Sequence, residues 1–318
     1  MQGQRTGPAP SHQWQAHSRL PKKGIPLNIR LRPQRLLRLG VTAALVFVVA
    51  GHASATQQTI ADVDLEGGDS SLFDPDNDEP GNDDCLRADL LNQHAYTPVD
   101  DGASLNSDDA YDGGMILYVN GTTFRDDNDQ GNEVGEQLKV GPRNTGGVSV
   151  TRTDRALQVS PTLRDLISFK NTHNNARVLH ILIQNDYGAD TSEVVRATAH
   201  SPGLSFQTND RWLLVADDPT TPSDALITNA WYGRGAAERL VNVTNDIPNA
   251  DGCVGVTYRI SVPANSTRHL LLFAQVHDAA AITDAKNHAQ VFDRKHLPAA
   301  LLEGLSTKVK NRVLNWNL

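Results

Sequence analysis

Between Cys253 and Val262 the sequence CVGVTYRISV sets Val254, Val256, Tyr258, Ile260 and Val262 at every second position. A period of two sends successive side chains to opposite faces, so this segment predicts a β-strand with one face in a core and the other in water. Pro263-Ala264-Asn265-Ser266 makes a turn after it. His269–Val276 then reads as a second strand, and its apolar residues on both faces predict a central place in a sheet.

Upstream, short apolar runs of the same kind recur: Met115–Val119, Gln137–Val140, Gly147–Thr151, Ala156–Val159, Leu166–Phe169, Val178–Ile183, Glu193–Thr198, Trp212–Ala216 and Ala225–Ala230. Gly, Pro, Asn and Asp punctuate them. Many short strands spaced by about ten residues, without helices alternating between them, predict a mainly β fold: an antiparallel β-sandwich of large, supersandwich-like size. The last forty residues change period. Asp278–Phe292 predicts a helix of about four turns with Asp278 suited to capping it. Leu297–Glu303 and Ser306–Leu314 predict two shorter helices, with Gly304 near a C-cap and Ser306 near an N-cap. Leu301, Leu302, Leu305, Val309 and Val313 would face the sandwich. The expected sandwich spans 85–277, and the helical cap 278–318.

Residues 1–55 carry Arg5, Arg19, Lys22, Lys23, Arg30, Arg32, Arg35 and Arg38 and no acidic side chain, followed by the apolar run Leu39–Gly51 and then His52-Ala53-Ser54-Ala55. A basic segment, an apolar block and an A-x-A site predict a secretory signal peptide cut after Ala55. The apolar run is shorter than the roughly 20 residues a membrane span needs, so a membrane is involved only if this segment stays uncut. The chain is thus expected to be secreted, periplasmic or on the cell surface. Its 29 basic and 37 acidic residues give a net charge of −8. Without the eight basic residues of the signal, 21 against 37 leaves −16. Such a chain repels phosphate backbones, which excludes nucleic acid as an expected partner.

Residues 56–84 read as an acidic, mobile leader, because ten of the 23 residues from Asp62 to Asp84 are Asp or Glu. The two cysteines, Cys85 and Cys253, predict one disulfide in an oxidising compartment. Closing so long a loop contributes about 4–5 kcal/mol in chain-entropy models.

Calcium is the candidate cation. Asp127, Asp129 and Glu133 alternate around Gly131 in a strand connection, an arrangement suited to oxygen ligation. Asp74, Asp76 and Asp78 also alternate, but an EF-hand needs Gly and Glu where Glu79 and Cys85 stand. His173, His180, His269 and His277 bracket strands without zinc-ligand spacing, and His180 is expected half-buried with Val178 and Leu182. Pro202–Phe206 approaches a G-x-S-x-G nucleophile turn but lacks the second Gly. Trp231, Tyr232 and Arg234 at a strand end are the candidate ligand-binding residues. Asn120, Asn242 and Asn265 begin N-x-S/T sequons.

Several phrases resemble a β-rich region of bacterial secreted and surface proteins: Gly146–Thr151 (GGVSVT), Asn171 with Val178–Asn185, Asn209-Asp210-Arg211-Trp212 ahead of Asp217-Asp218, and Val262-Pro263-Ala264 before an apolar strand. The ending from Gly304-Leu305-Ser306 to Asn315-Trp316 is similar to the close of that region. Asn265 stands where Gly is usual. That region has no assigned catalytic activity, so the resemblance implies fold and compartment only. The chain is therefore expected to be an exported, non-catalytic β-domain in extracellular or cell-envelope interaction or adhesion, meeting a protein or glycan partner. A carbohydrate-active protein, either binding module or glycoside hydrolase, is the alternative that an exposed Trp212 or Trp231 beside a cleft would favour. A periplasmic accessory factor would leave an apolar edge exposed.

Overall fold

The structure, a computed structural model, describes residues 55–76, 95–104, 107, 110–188, 194–200, 205–216, 224–245, 247 and 253–318. Its first strands are β1 (Thr56–Thr59), β2 (Leu65–Glu66), β3 (Leu72–Asp76), β4 (Thr97–Ala103), β5 (Tyr111–Val119) and β6 (Thr122–Thr123). Then come β7 (Gln130–Glu133), β8 (Gln137–Thr145), β9 (Val148–Leu157), β10 (Thr162–Asn171), β11 (Arg177–Tyr187) and β12 (Val194–Thr198). The last are β13 (Trp212–Ala216), β14 (Leu226–Ala230), β15 (Asn242–Asn245), β16 (Val254–Val262) and β17 (Ser266–His277). One sheet runs β1-β7-β8-β9-β10-β17-β14-β13-β12; the other runs β15-β16-β11-β5-β4-β3-β2, with β6 on β5. Strand pairing is antiparallel throughout.

The period-two strand behaves as its sequence predicts. Val254, Val256, Tyr258, Ile260 and Val262 of β16 are buried, while Arg259 and Ser261 face water. β17 lies between β10 and β14, the central place its two apolar faces require. Leu270, Leu272, Ala274 and Val276 enter one hydrophobic cluster with Leu138 and Val150 of the same sheet and Leu117, Ile183 and Val256 of the other. The two sheets thus pack face to face as a sandwich. Leu271 and Phe273 enter a second cluster on the outer face, with the C-terminal segment.

Two expectations change here. Gly147–Thr151 and Ala156–Val159 are not separate strands: β9 runs through both and ends at Leu157, and Val159 is 64% exposed beyond it. Arg152 and Asp154 interrupt the apolar signal, yet both lie on the buried face. Residues 56–76 likewise are not a mobile leader. Ile60, Val63, Leu65 and Phe73 are buried, β1 pairs with β7, and β3 pairs with β4. Counting acidic residues hides these apolar ones, which alternate with the carboxylates and supply the burial that offsets ordering.

Arg152 organises a polar centre between the sheets. Its Nη2 donates to Asp165 Oδ2 at 2.6 Å and its Nη1 to the Met115 carbonyl at 2.9 Å. Tyr96 donates its hydroxyl to Asp154 Oδ2 at 2.5 Å, and the Arg152 guanidinium lies 5.3 Å from the Tyr96 ring centroid. Asp154 faces Asp165 across β9 and β10. Burial first, then the Asp165 charge, pushes the Asp154 carboxyl well above the usual carboxylate range. Met115 takes a left-handed backbone (φ 58°) beside a register shift in the β5–β11 pairing, and Asn185 Oδ1 accepts its amide at 2.9 Å. A non-glycine residue keeps such a conformation only where its neighbours fix it.

The C-terminal helices are shorter than predicted. α1 is Ile282–Ala289, continued by a 3-10 turn at Gln290–Asp293; a second 3-10 turn is Ala299–Leu302, and α2 is Thr307–Lys310. Asp278 Oδ1 accepts from the Ala280 amide at 2.9 Å, so it turns the chain ahead of the helix and does not cap it. Ser306 does cap α2, accepting from the Val309 amide at 3.3 Å, and Gly304 has φ 75°. Leu301, Leu302 and Val313 are buried on the sheet's outer face, with Leu305 and Val309 packed against them. Asn315 fastens the end: its Nδ2 donates to the Trp231 and Leu271 carbonyls at 2.7 and 2.8 Å, and its Oδ1 accepts the Leu271 amide at 2.9 Å. Residues 1–54, with the expected export signal, lie outside the described residues. Among those described, no helix is long and apolar enough to cross a membrane.

Candidate functional site

Between β12 and β13 one buried carboxylate ties the described residues together. Asp210 accepts from the His200 amide at 2.8 Å and the Gln207 amide at 3.0 Å. That anchor fixes the next residue. Arg211 Nη1 donates to His200 Nε2 at 3.0 Å, which makes that ring nitrogen an acceptor, because a guanidinium offers only donors. Its Nε donates to Asp293 Oδ1 at 3.1 Å, and its Nη2 reaches the same oxygen.

The facing wall follows β14. The Trp231 amide donates to the Arg211 carbonyl at 2.9 Å, and the Trp231 carbonyl accepts from the Tyr258 hydroxyl at 2.6 Å. Trp231 is fully buried, and Tyr232 is 4% exposed with its hydroxyl donating to the Thr208 carbonyl at 3.1 Å. Burial raises the Tyr232 pKa, while Arg211 and Arg239 pull the other way. At Gly233 the backbone passes so close to Trp316 that a Cβ would sit 2.4 Å from the indole, so only glycine fits. The turn then presents Arg234, and further on Arg239, both exposed.

Between the walls lies a cleft of about 280 Å³, lined by His200, Asn209, Arg211, Tyr232, Arg234 and Arg239 among others. Arg211 has its carboxylate partner. Arg234 and Arg239 have no ion pair among the described residues. Two unpaired guanidiniums beside a third suit a planar or tetrahedral anion, which they can grip by paired N–H···O bonds.

The other expected sites fare differently. Asp127 is in an exposed ion pair with Arg125 at 2.9 Å, Asp129 takes a left-handed backbone, and Glu133 sits on β7 opposite Thr56. Among the described residues no three His, Cys, Asp or Glu side chains gather as a bound cation requires, so these three do not form one site. The loop is held instead by the buried Asp126, which accepts from Arg143 and from the Asn128 amide. Asp78 lies outside the described residues, as does Cys85; Cys253 directly precedes β16 and is not a free thiol. His180 points to water with Val178, which is 45% exposed. Ser168 and His269 do meet at 2.9 Å, and burial, then Arg312 and Arg268, push the His269 pKa down to about 4.

Of the predicted trio, Tyr232 and Arg234 line the cleft and Trp231 does not. Arg211, Arg239 and His200 escaped sequence reading, although Asn209-Asp210-Arg211-Trp212 drew notice as a phrase. The signal available was three arginines within 29 residues of an acidic chain, Arg211 to Arg239. No protein-family model matches this chain, and no curated protein does.

Proposed function

We propose that the chain is an exported recognition domain that acts in extracellular or cell-envelope interaction, holding an acidic group of its protein or glycan partner in the arginine cleft. The observation that carries this reading is the pair Arg234 and Arg239, exposed and unpaired beside Arg211, in a chain that is otherwise strongly acidic. A basic cleft on an acidic surface selects ligands by sign and by fork geometry. The export pattern of residues 1–55 supports the compartment, and the Cys85–Cys253 disulfide belongs to the same proposal. Calcium has no part in it.

The aromatic-platform version of the carbohydrate reading loses its support, since Trp212 is 4% exposed and Trp231 fully buried. Among the described residues the large exposed apolar side chains are the scattered Val159, Val178 and Val241, which do not make the apolar edge of an assembly factor.

The test is an array of carboxylated, sulfated and neutral glycans and peptides, probed with the parent chain and with Arg234→Ala/Arg239→Ala. The proposal expects acidic ligands to be retained, with binding that weakens as salt rises and falls about tenfold or more in the variant. Binding to neutral ligands alone, or acidic binding indifferent to both arginines, overturns it.

A further inference from the structure

On the outer face of the nine-stranded sheet, beneath the C-terminal segment, three polar side chains lie side by side across adjacent strands. Thr162 of β10 and Thr228 of β14 both pair with Gln275 of β17. Gln275 Nε2 donates to Thr162 Oγ1 at 3.0 Å, and the Ser160 hydroxyl donates to the same oxygen at 2.9 Å. Gln275 is 1% exposed, and its Oε1 has no hydrogen-bond partner; neither does Thr228 Oγ1. Two positions along β17, His277 holds its ring 5.0 Å from that of His288 on α1, and His277 Nε2 and His288 Nδ1 are also without partners. An unsatisfied buried polar atom costs about 1–3 kcal/mol, and folded chains carry few of them. Four in one neighbourhood call for an explanation.

A cavity of about 260 Å³ opens on this neighbourhood, lined by Ser160, Gln275, Asn287 and His288 on its polar side and by Val291 and Pro298 among its apolar residues. It shares no lining residue with the arginine cleft. We propose that this cavity is a second ligand site, one that takes a neutral polyhydroxylated molecule of about monosaccharide size. Gln275 Oε1 can only accept, the imidazole nitrogens accept or donate by tautomer, and the Asn287 amide does both. A hydroxyl is donor and acceptor at once, so a ring of hydroxyls can satisfy the groups on the lining, Gln275 Oε1 with Asn287 and His288; Thr228 and His277 are not among the lining residues. The apolar wall of Val291, Pro298 and Leu301 offers a surface for the C–H face of such a ring.

The lining argues for a neutral occupant, since Ser160, Gln275, Asn287 and the apolar residues carry no charge and no carboxylate is among them. His277 is kept uncharged, its pKa pushed down to about 4 by burial and then by His288. The nearby Arg164 guanidinium donates to the Leu301 and Glu303 carbonyls, and Arg294, exposed, is the one charged side chain on the lining, which is why sugar acids are the contrasting arm of the test below. A metal ion is not indicated, because no third His, Cys, Asp or Glu joins the two histidines among the described residues.

The experiment is an NMR titration of the chain with a panel of neutral monosaccharides and cyclic polyols, alongside sugar acids, read on the histidine imidazole resonances. At least one neutral member is expected to shift the His277 and His288 signals and saturate with Kd of about 1 mM or tighter. Asn287→Ala, at an exposed helix position, and Gln275→Met, which keeps shape but removes the acceptor, are each expected to weaken that binding about tenfold. If Gln275→Met does not fold, Asn287→Ala decides alone. No shift from any neutral member up to about 50 mM, tighter binding of the sugar acids, or a titration unchanged by Asn287→Ala each overturns the proposal.

Discussion

The two carboxylates that meet at Arg152 respond in opposite ways to one chemical change, Asp to Asn. Asp165 is the partner of the guanidinium at 2.6 Å, and both side chains are fully buried. Asp154 stands opposite Asp165, has its pKa raised by burial and by that neighbour, and accepts from Tyr96. The folded state therefore favours a proton on Asp154. Asparagine reproduces that form, with an oxygen for the Tyr96 hydroxyl and an N–H toward Asp165, so Asp154→Asn is expected to be as stable as the parent at neutral pH, or more so. Asp165→Asn removes the buried anion, a loss of about 3–5 kcal/mol that Asp154 reduces by giving up its proton to cover Arg152. In the double variant nothing remains to cover it, so the loss exceeds the sum of the singles. The pH dependence follows from the sign of the shift. A raised carboxyl contributes stability that is fully present below its unfolded value, near 4, and is lost as pH climbs through the folded value. Within that window the parent loses about 1.4 kcal/mol per pH unit relative to Asp154→Asn, which has no proton to release. Urea unfolding of parent, singles and double between about pH 4 and pH 8 measures all of this. Equal damage from Asp154→Asn and Asp165→Asn, or a parent-to-variant gap that stays flat with pH, refutes the reasoning.

Trp316 donates its indole N–H to the Leu271 carbonyl at 2.6 Å and packs edge-on to Phe273, so Trp316→Ala should cost about 3–5 kcal/mol and loosen the helical segment, read as a lower unfolding midpoint and faster amide exchange at Leu271. Gly233→Ala should be destabilising through the same indole and should also distort the arginine cleft, seen as weakened acidic-ligand binding at temperatures where the variant is folded. His269 and His277 both titrate near 4 in the fold against about 6.5 unfolded. Each therefore contributes stability above the unfolded value that is lost as pH falls toward 4, and His277→Asn should flatten that acid limb. If the Cys85–Cys253 disulfide forms on export, reduction should lower the unfolding midpoint of the mature chain by several degrees, and Cys253→Ser should make it insensitive to reductant.

The fold was legible wherever one face of a strand is uniformly apolar. β16 and β17 follow from residue spacing alone, because burial there is decided by side-chain period and by nothing further away. β9 was not legible as one strand, since Arg152 and Asp154 occupy core positions that local hydrophobicity assigns to water. What admits them is tertiary: Asp165 on β10, Tyr96 ahead of β4 and the Met115 carbonyl on β5 supply the partners. The 56–76 segment failed for the opposite reason. There composition averaged over carboxylates that stay outside and the few apolar residues that go in.

The cleft adds a point about charge. A net value assigns a sign to the whole chain, but a ligand meets a local field, and the two differ here because of how three backbone anchors fold. Asp210 spends its charge on two amides and aims Arg211; Gly233 lets the turn close against Trp316; the buried Trp231 fixes that turn between Tyr258 and Asn315. All three are buried, Gly233 alone lining the cleft, yet together they bring Arg211, Arg234 and Arg239 to one side of it. The residues that position the charge are buried, so the aromatic pattern of the sequence points to this turn through Trp231, a side chain that is itself enclosed. In the function proposed above, the recognising groups are the arginines this turn carries.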